Sequence, residues 1–192
     1  MAKLYFYYGA MGASKTAQAL MTKFNYEEKG QKALLLKADL DTRDDRDGKH
    51  LIRSRVGLES EGGLLSEFCD NYQEILTERY DVIIVDEAQF ATRAQVSVLC
   101  EIVDTFNIPV VTYGLRSDFQ GNLFTGSEAL LACADQILEI KTMCWCGKKA
   151  TMNARFNENG IIKEGDQIVM GAGSNYTALC RKHWKLGMLH PM

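Results

Sequence analysis

Apolar residues are spaced along this chain in two rhythms. Four short runs, Leu4-Tyr5-Phe6-Tyr7-Tyr8, Ala33-Leu34-Leu35-Leu36, Val82-Ile83-Ile84-Val85 and Val110-Val111-Thr112-Tyr113, continue without polar alternation. A strand that stays apolar at every position is buried on both faces, as in a parallel sheet covered by helices. Between these runs the spacing turns helical. Ala17, Leu20, Met21 and Phe24 form one stripe of a helix predicted from Thr16 to about Glu28, ending near Gly30. Further helices are predicted over about 64–77 and 92–106, the second opened by Thr92 with Gln95 in capping-box spacing. Strand and helix in alternation predict an α/β fold.

Two stretches break the rhythm. From Asp39 to Gly63 no periodicity survives, and Asp41-Thr42-Arg43-Asp44-Asp45-Arg46-Asp47-Gly48-Lys49 is dense in both charges. This reads as a mobile loop, either functional, since it leaves the sheet on the side where ligands bind, or simply a solvated surface segment. After Lys141 the texture changes to Cys, Gly and short polar strands, with a turn signalled by Asn157-Glu158-Asn159-Gly160. The expected division is therefore 1–141 for the α/β unit and 142–192 for a small β-rich unit.

At 192 residues with 46% hydrophobic content, the chain can bury a real core. A net charge of −3 gives no electrostatic footprint for nucleic acid, so a small-molecule partner is expected. No charged-then-apolar leader and no apolar stretch of about 18 residues is present, which predicts a cytoplasmic protein without a membrane partner. In that compartment six cysteines suggest metal binding or buried thiols rather than disulfides.

The chemistry begins where the first strand gives way to the first helix, at Gly9-Ala10-Met11-Gly12-Ala13-Ser14-Lys15-Thr16. A glycine-led turn there wraps phosphate with backbone N–H groups, while the lysine reaches the β and γ oxygens and the hydroxyl ligates Mg²⁺. Ser14 replaces the usual glycine; if that position needs positive φ, serine is strained by roughly 1 kcal/mol. The matching acids are Asp86-Glu87, delivered by Val82 to Val85 to the carboxyl end of a strand, the ligand-binding edge of such a sheet. Asp86 suits Mg²⁺, a hard cation that takes oxygen ligands. Glu87, one residue farther out, can accept a proton from water in an ATPase or from an alcohol in a kinase, and the pair alone does not choose between them.

Cys144-Trp145-Cys146 and Cys180-Arg181-Lys182-His183 supply two ligand pairs of the softness Zn²⁺ accepts in a closed tetrahedral structural site. The spacing alone leaves two unrelated buried pairs as the alternative. A structural ion would pin a C-terminal unit whose core is too small to hold alone. Cys69, Cys100 and Cys133 fall within helical patterns and read as core residues.

In this order the motifs resemble the thymidine kinase family of the smaller, zinc-containing type. The resemblance spans nearly the whole chain and rests on Gly9 to Thr16 with Met11 inside the loop, Val85-Asp86-Glu87-Ala88-Gln89-Phe90, Tyr113-Gly114-Leu115-Arg116-Ser117-Asp118-Phe119-Gln120-Gly121, the Cys/His pairs and Gly171 to Tyr176. It implies a phosphate-loop, RecA-like parallel sheet flanked by helices, with a small zinc-binding β-rich domain and a lid loop. It implies transfer of the ATP γ-phosphoryl group to the 5′-hydroxyl of thymidine.

In that scheme Glu87 is the base, Asp86 and Thr16 surround Mg²⁺, and Lys15 lies on the phosphates. Gly9, Ala10, Met11, Gly12, Ala13, Ser14, Gln89 and Arg43 complete the ATP side, with Arg46 a competing alignment for Arg43. Met11, Phe90, Leu115, Phe119 and Phe124 wall the nucleoside, and Gly171, Ala172, Gly173, Ser174 and Tyr176 cover it. Cys144, Cys146, Cys180 and His183 hold structural Zn²⁺. Thymidine triphosphate is implied as a feedback ligand and a homotetramer as the assembly. Two departures stand out: Ser14, and a lid segment without an adjacent glycine pair. The competing readings are a phosphate-loop ATPase with a zinc-pinned partner-binding module and a nucleotide-binding regulator without turnover.

Overall fold

In the computed structural model, which describes residues 1–40, 45–46, 48–168 and 175–190, the continuous apolar runs become strands of one sheet. The chain runs through β1 (Leu4–Tyr8), α1 (Lys15–Glu27), β2 (Ala33–Lys37), β3 (Leu51–Arg53), β4 (Glu59–Glu61), β5 (Gly63–Leu64), α2 (Leu65–Ile75) and β6 (Val82–Asp86). It continues through α3 (Arg93–Glu101), β7 (Val110–Gly114), α4 (Thr125–Cys133) and β8 (Gln136–Glu139). The sheet order is β5-β2-β6-β7-β1-β8, and every neighbouring pair is parallel.

Helices cover both faces, which is why β6 and β7 are buried at every residue. On one face Leu65 and Phe68 of α2, Val96 and Leu99 of α3, and Ala129 and Leu130 of α4 pack against Leu4, Phe6, Leu36, Ile83 and Val85. On the other, Ala19 and Leu20 of α1 meet Leu35, Val82, Ile84, Val111 and Tyr113. Each large aliphatic side chain so buried contributes about 1.5–3 kcal/mol. The capping box at Thr92 forms in full: Gln95 N–H donates to Thr92 Oγ1 (3.1 Å) and Thr92 N–H to Gln95 Oε1 (2.8 Å).

Three expectations are corrected. The helix predicted to 106 is α-helical only to Glu101; Ile102–Phe106 widens into a π-turn that stops at Asn107, in the left-handed region with φ 54°. β-branched Ile102, Val103 and Thr105 crowd an α-helical turn. The aperiodic stretch from Asp39 to Gly63 contains a β3–β4 hairpin, pairing Leu51 with Glu61 and Arg53 with Glu59. Its strands are too short for a period to register, and Ile52, 2% exposed, joins the core on the α1 side. Of the three helical cysteines, Cys69 and Cys100 are half-buried at the core margin and Cys133 is exposed, its sulfur 3.4 Å from that of Cys100.

Beyond β8 the strands leave this sheet. β9 (Thr142–Met143) and β10 (Lys149–Ala150) pair antiparallel, and β11 (Met152–Asn157) lies between β12 (Gly160–Ile162) and β13 (Asn175–Leu179), before α5 (Arg181–Leu186). The predicted turn at 157–160 joins β11 to β12, with Gly160 at φ +112°. The buried apolar cluster here is small: Cys144, Ala150, Ala154, Leu179 and Cys180. Among the described residues no helix is long and apolar enough to cross a membrane.

Candidate active site

The glycine-led turn bridges β1 and α1 at the carboxyl edge of the sheet. Gly9 has no room for a side chain, because a Cβ would stand 2.6 Å from the Ile140 carbonyl and 2.9 Å from Ala13 Cβ. Ser14 does sit in the left-handed region, at φ 56° and ψ 28°, and its hydroxyl makes no capping bond to α1. Lys15 curls back over the turn, donating to the Ala10 carbonyl at 3.0 Å and the Gly9 carbonyl at 3.3 Å. Its burial lowers its pKa, against the pull of Glu87 and Asp86.

Register brings the acids to the same edge. β6 ends on Asp86, 3% exposed and bonded to the Thr16 hydroxyl. Burial pushes the Asp86 carboxyl well above the ordinary carboxylate range, and the neighbouring charge of Glu87 adds to the shift. Glu87 then leaves the strand in a left-handed conformation, φ 52° and ψ 35°, so its side chain faces the cavity rather than continuing along β6. Strain at such a non-glycine position persists where the surroundings over-determine it. Here Gln89, 1% exposed, donates from Nε2 to Glu87 Oε2 and accepts the Leu115 N–H on Oε1 (2.9 Å). Gly126 of α4 allows the turn after Glu87 to lie this close, since a Cβ would come 2.4 Å from the Ala88 carbonyl.

Between the turn and Glu87 opens a cavity of about 990 Å³. Beside the glycine-led turn it is lined by Gly12, Ser14, Lys15, Thr16 and Glu87. Met11, Phe90, Leu115, Phe119, Phe124 and Tyr176 also wall it, with the polar side chains of Asp118, Asn153 and Gln167 among them. Phe90 and Phe124 meet edge to face, 5.6 Å apart at 83°, and the Arg155 guanidinium lies 3.9 Å over the Phe119 ring. Such a slot suits a flat ring, with polar groups beside it to read an edge.

The four metal-type ligands converge as their spacing predicts. The sulfurs of Cys144, Cys146 and Cys180 and a ring nitrogen of His183 all lie within 4.8 Å of one another, with Cys144 Sγ 3.4 Å from His183 Nδ1 and Cys146 Sγ 4.0 Å from Cys180 Sγ. Tetrahedral Zn²⁺ at about 2.3 Å from sulfur needs ligand separations of about 3.7 Å, so the donor set fits. Burial alone would raise the Cys144 thiol, yet N–H groups of Cys146 and Cys180 and the His183 contact reverse this and bring it down to about 6, favouring the thiolate a metal takes. Trp145 stacks on the His183 ring at 4.2 Å and 9°. Cys144 and Cys146 lie on the β9–β10 turn, while Cys180 and His183 open α5, so one ion would join both ends of the C-terminal segment.

A family model described as thymidine kinase matches residues 2–184. The chain belongs to the thymidine kinase family. It is 47% identical over 194 residues to a thymidine kinase of Legionella pneumophila (strain Lens), covering 97% of this chain and 91% of that protein. It is 45% identical to the thymidine kinase of Vibrio parahaemolyticus (96% and 97% covered) and 44% identical to that of Salmonella choleraesuis (96% and 91% covered).

Within this thymidine kinase fold, all six residues expected around the nucleoside and lying among the described residues line the cavity. Gly171, Ala172, Gly173 and Ser174 of the expected lid, and Arg43 of the charged loop, lie outside the described residues. Gln89, expected on the ATP side, bonds Glu87 to the end of β7. The sequence reading missed Arg53 and Arg55, brought to the cavity by the hairpin, and Asn153. Asn153, 4% exposed on β11, accepts the Met11 N–H (2.8 Å) and donates to the Ser117 carbonyl (2.7 Å), tying the C-terminal sheet to the glycine-led turn. The signal for Arg55 was Gly57, at φ +88°, a turn residue inside the supposed aperiodic stretch.

Proposed function

We propose that this chain transfers the γ-phosphoryl group of ATP to the 5′-hydroxyl of thymidine, giving thymidine monophosphate and ADP. The observation that carries the reading is one continuous cavity lined by Gly12, Ser14, Lys15 and Thr16 of the glycine-led turn, by Glu87 and by the aromatic side chains Phe90, Phe119, Phe124 and Tyr176, with Asp86 buried behind it and bonded to Thr16. Phosphoryl transfer asks for positioning and charge neutralisation more than covalent chemistry. The nucleoside lies in the aromatic slot with its 5′-oxygen toward Glu87. That oxygen bonds to Pγ as the bond from Pγ to the β-bridging oxygen breaks, and the hydroxyl proton passes to the Glu87 carboxylate.

Lys15 turns from the Gly9 and Ala10 carbonyls onto the phosphates as they fill the turn. Thr16 and Asp86, a hydroxyl and a buried carboxylate in contact, suit the oxygen-loving Mg²⁺ that accompanies ATP and neutralises phosphate charge. Gln89 holds Glu87 in place. The Cys144, Cys146, Cys180 and His183 set holds Zn²⁺ and keeps Asn153 and Tyr176 against the cavity.

The resemblance extends to thymidine triphosphate as a feedback ligand, which one continuous cavity can accommodate, and to a homotetramer, which light scattering measures. The deciding experiment is a panel of nucleosides with ATP and Mg²⁺, with the phosphorylated product identified. Thymidine monophosphate is the expected product. Equal ADP release with and without nucleoside would overturn the reading in favour of an ATPase.

A further inference from the structure

The β3–β4 hairpin is bonded at its base and closed at its tip. Its base is fixed by Lys37, fully buried at the end of β2, whose ammonium bonds to the Asp45 carboxylate and the Leu51 carbonyl (3.1 Å). Asp45 also accepts the Leu51 N–H at 3.2 Å and contacts His50 Nδ1 at 3.0 Å. Ile52 packs into the core on the α1 side. The tip closes on itself: Ser54 N–H donates to the Leu58 carbonyl (2.8 Å), Leu58 N–H to Ser54 Oγ (3.0 Å) and Gly57 N–H to the Ser54 carbonyl (3.0 Å).

That arm ends at the phosphate end of the cavity. Arg55, at the tip, lines the cavity together with Lys15, Thr16 and Glu87. Its charge is near enough to oppose protonation of Lys15. Arg53, on the same arm, is paired with Glu59 at 3.8 Å, while among the described residues no carboxylate pairs with Arg55. Arg46, the other described candidate of the charged stretch, lies in a bridge with Lys49 and does not line the cavity. A guanidinium presents a planar fork of donors that matches phosphoryl oxygens, and a fixed cation there stabilises charge that develops only during transfer.

We propose that Arg55, delivered by the β3–β4 hairpin, is a second cation of the phosphate site, contacting the γ-phosphoryl group opposite Lys15 as it moves to the acceptor. The inference rests on the kinase reading above. The Lys37–Asp45 contact is then a positioning device, holding the arm at the height of the phosphate turn.

The test compares wild type, Arg55→Ala and Arg55→Lys in steady-state thymidine phosphorylation, with zinc content and thermal melting of each. Arg55→Ala should lower kcat by roughly 100-fold or more while leaving the thymidine KM within about twofold, the pattern of a contact made mainly in the transition state. Arg55→Lys should keep the charge but lose the fork, giving an intermediate rate. Added guanidinium ion should restore part of the Arg55→Ala rate and leave wild type unchanged, a response that a folding defect would not give. Wild-type activity with an equally active Arg55→Ala overturns the inference, as does a slow variant with lowered melting temperature and no guanidinium rescue. A wild-type enzyme that forms no thymidine monophosphate instead overturns the kinase reading itself.

Discussion

Replacing Ser14 by glycine should stabilise the protein. Ser14 holds φ 56° and ψ 28°, where an L-residue with a Cβ is disfavoured by about 1–2 kcal/mol. Glycine removes that penalty but brings a larger unfolded-state entropy, worth about 0.5–1 kcal/mol in the other direction. The serine hydroxyl makes no capping bond and the residue is exposed, so no other interaction is forfeited. The net gain is about 0.5–1 kcal/mol, which for a chain of this size raises Tm by about 1–4 °C. Thermal unfolding followed by circular dichroism measures it, at matched protein and zinc concentrations because binding and assembly shift Tm by mass action. The KM for ATP should stay level or fall, since the hydroxymethyl group no longer lines the phosphate end of the cavity. A lower Tm for Ser14→Gly would refute the strain argument, meaning the side chain contributes something its geometry does not reveal.

Three further outcomes are expected alongside the Arg55 test. Glu87→Gln should lower kcat by about 10²–10⁴-fold while ATP affinity, read by calorimetry, is kept; a wild-type kcat would reject Glu87 as proton acceptor. Cys146→Ser should release the metal and weaken hydrogen-exchange protection across β9 to β13, whereas unchanged zinc by elemental analysis would reject the four-ligand centre. The Lys37–Asp45 contact should make stability depend on acid: burial disfavours the Asp45 charge, but bonds from Lys37 and His50 outweigh it and hold the pKa below its ordinary value. A depressed carboxylate stabilises fully above its unfolded pKa of about 4 and loses that contribution as pH falls through the lower folded value. Wild type and Asp45→Asn should therefore differ in urea midpoint at pH 7 and converge toward pH 3; a constant gap would contradict the ion pair.

Much of this protein was legible in one dimension, because some physics acts over a few residues. Short runs rich in β-branched residues at 82–85 and 110–113 read as strands buried on both faces, and β6 and β7 are. A glycine-led turn between strand and helix, acids at a strand tip, and the Thr92–Gln95 cap are likewise local, and each forms where its spacing put it. The Cys/His pairs were legible as candidate ligands, with two unrelated buried pairs as the alternative, and packing brings all four donor atoms within 4.8 Å of one another.

What tertiary structure decided is which of these local pieces meet. The Met11 amide finds Asn153 across 142 positions, and Leu115 finds Gln89 across 26, because the order β6-β7-β1 sets the phosphate turn, the acid turn and the end of β7 along one edge. Asn153 and Arg55 carry no motif of their own, and Gln89, though it stands in the motif after β6, finds its Leu115 partner only in the packed chain. Their places follow from burial of the elements beneath them, Ile52 under the hairpin and Ala154 beneath the C-terminal sheet, and burial is a property of the packed chain rather than of any stretch of it.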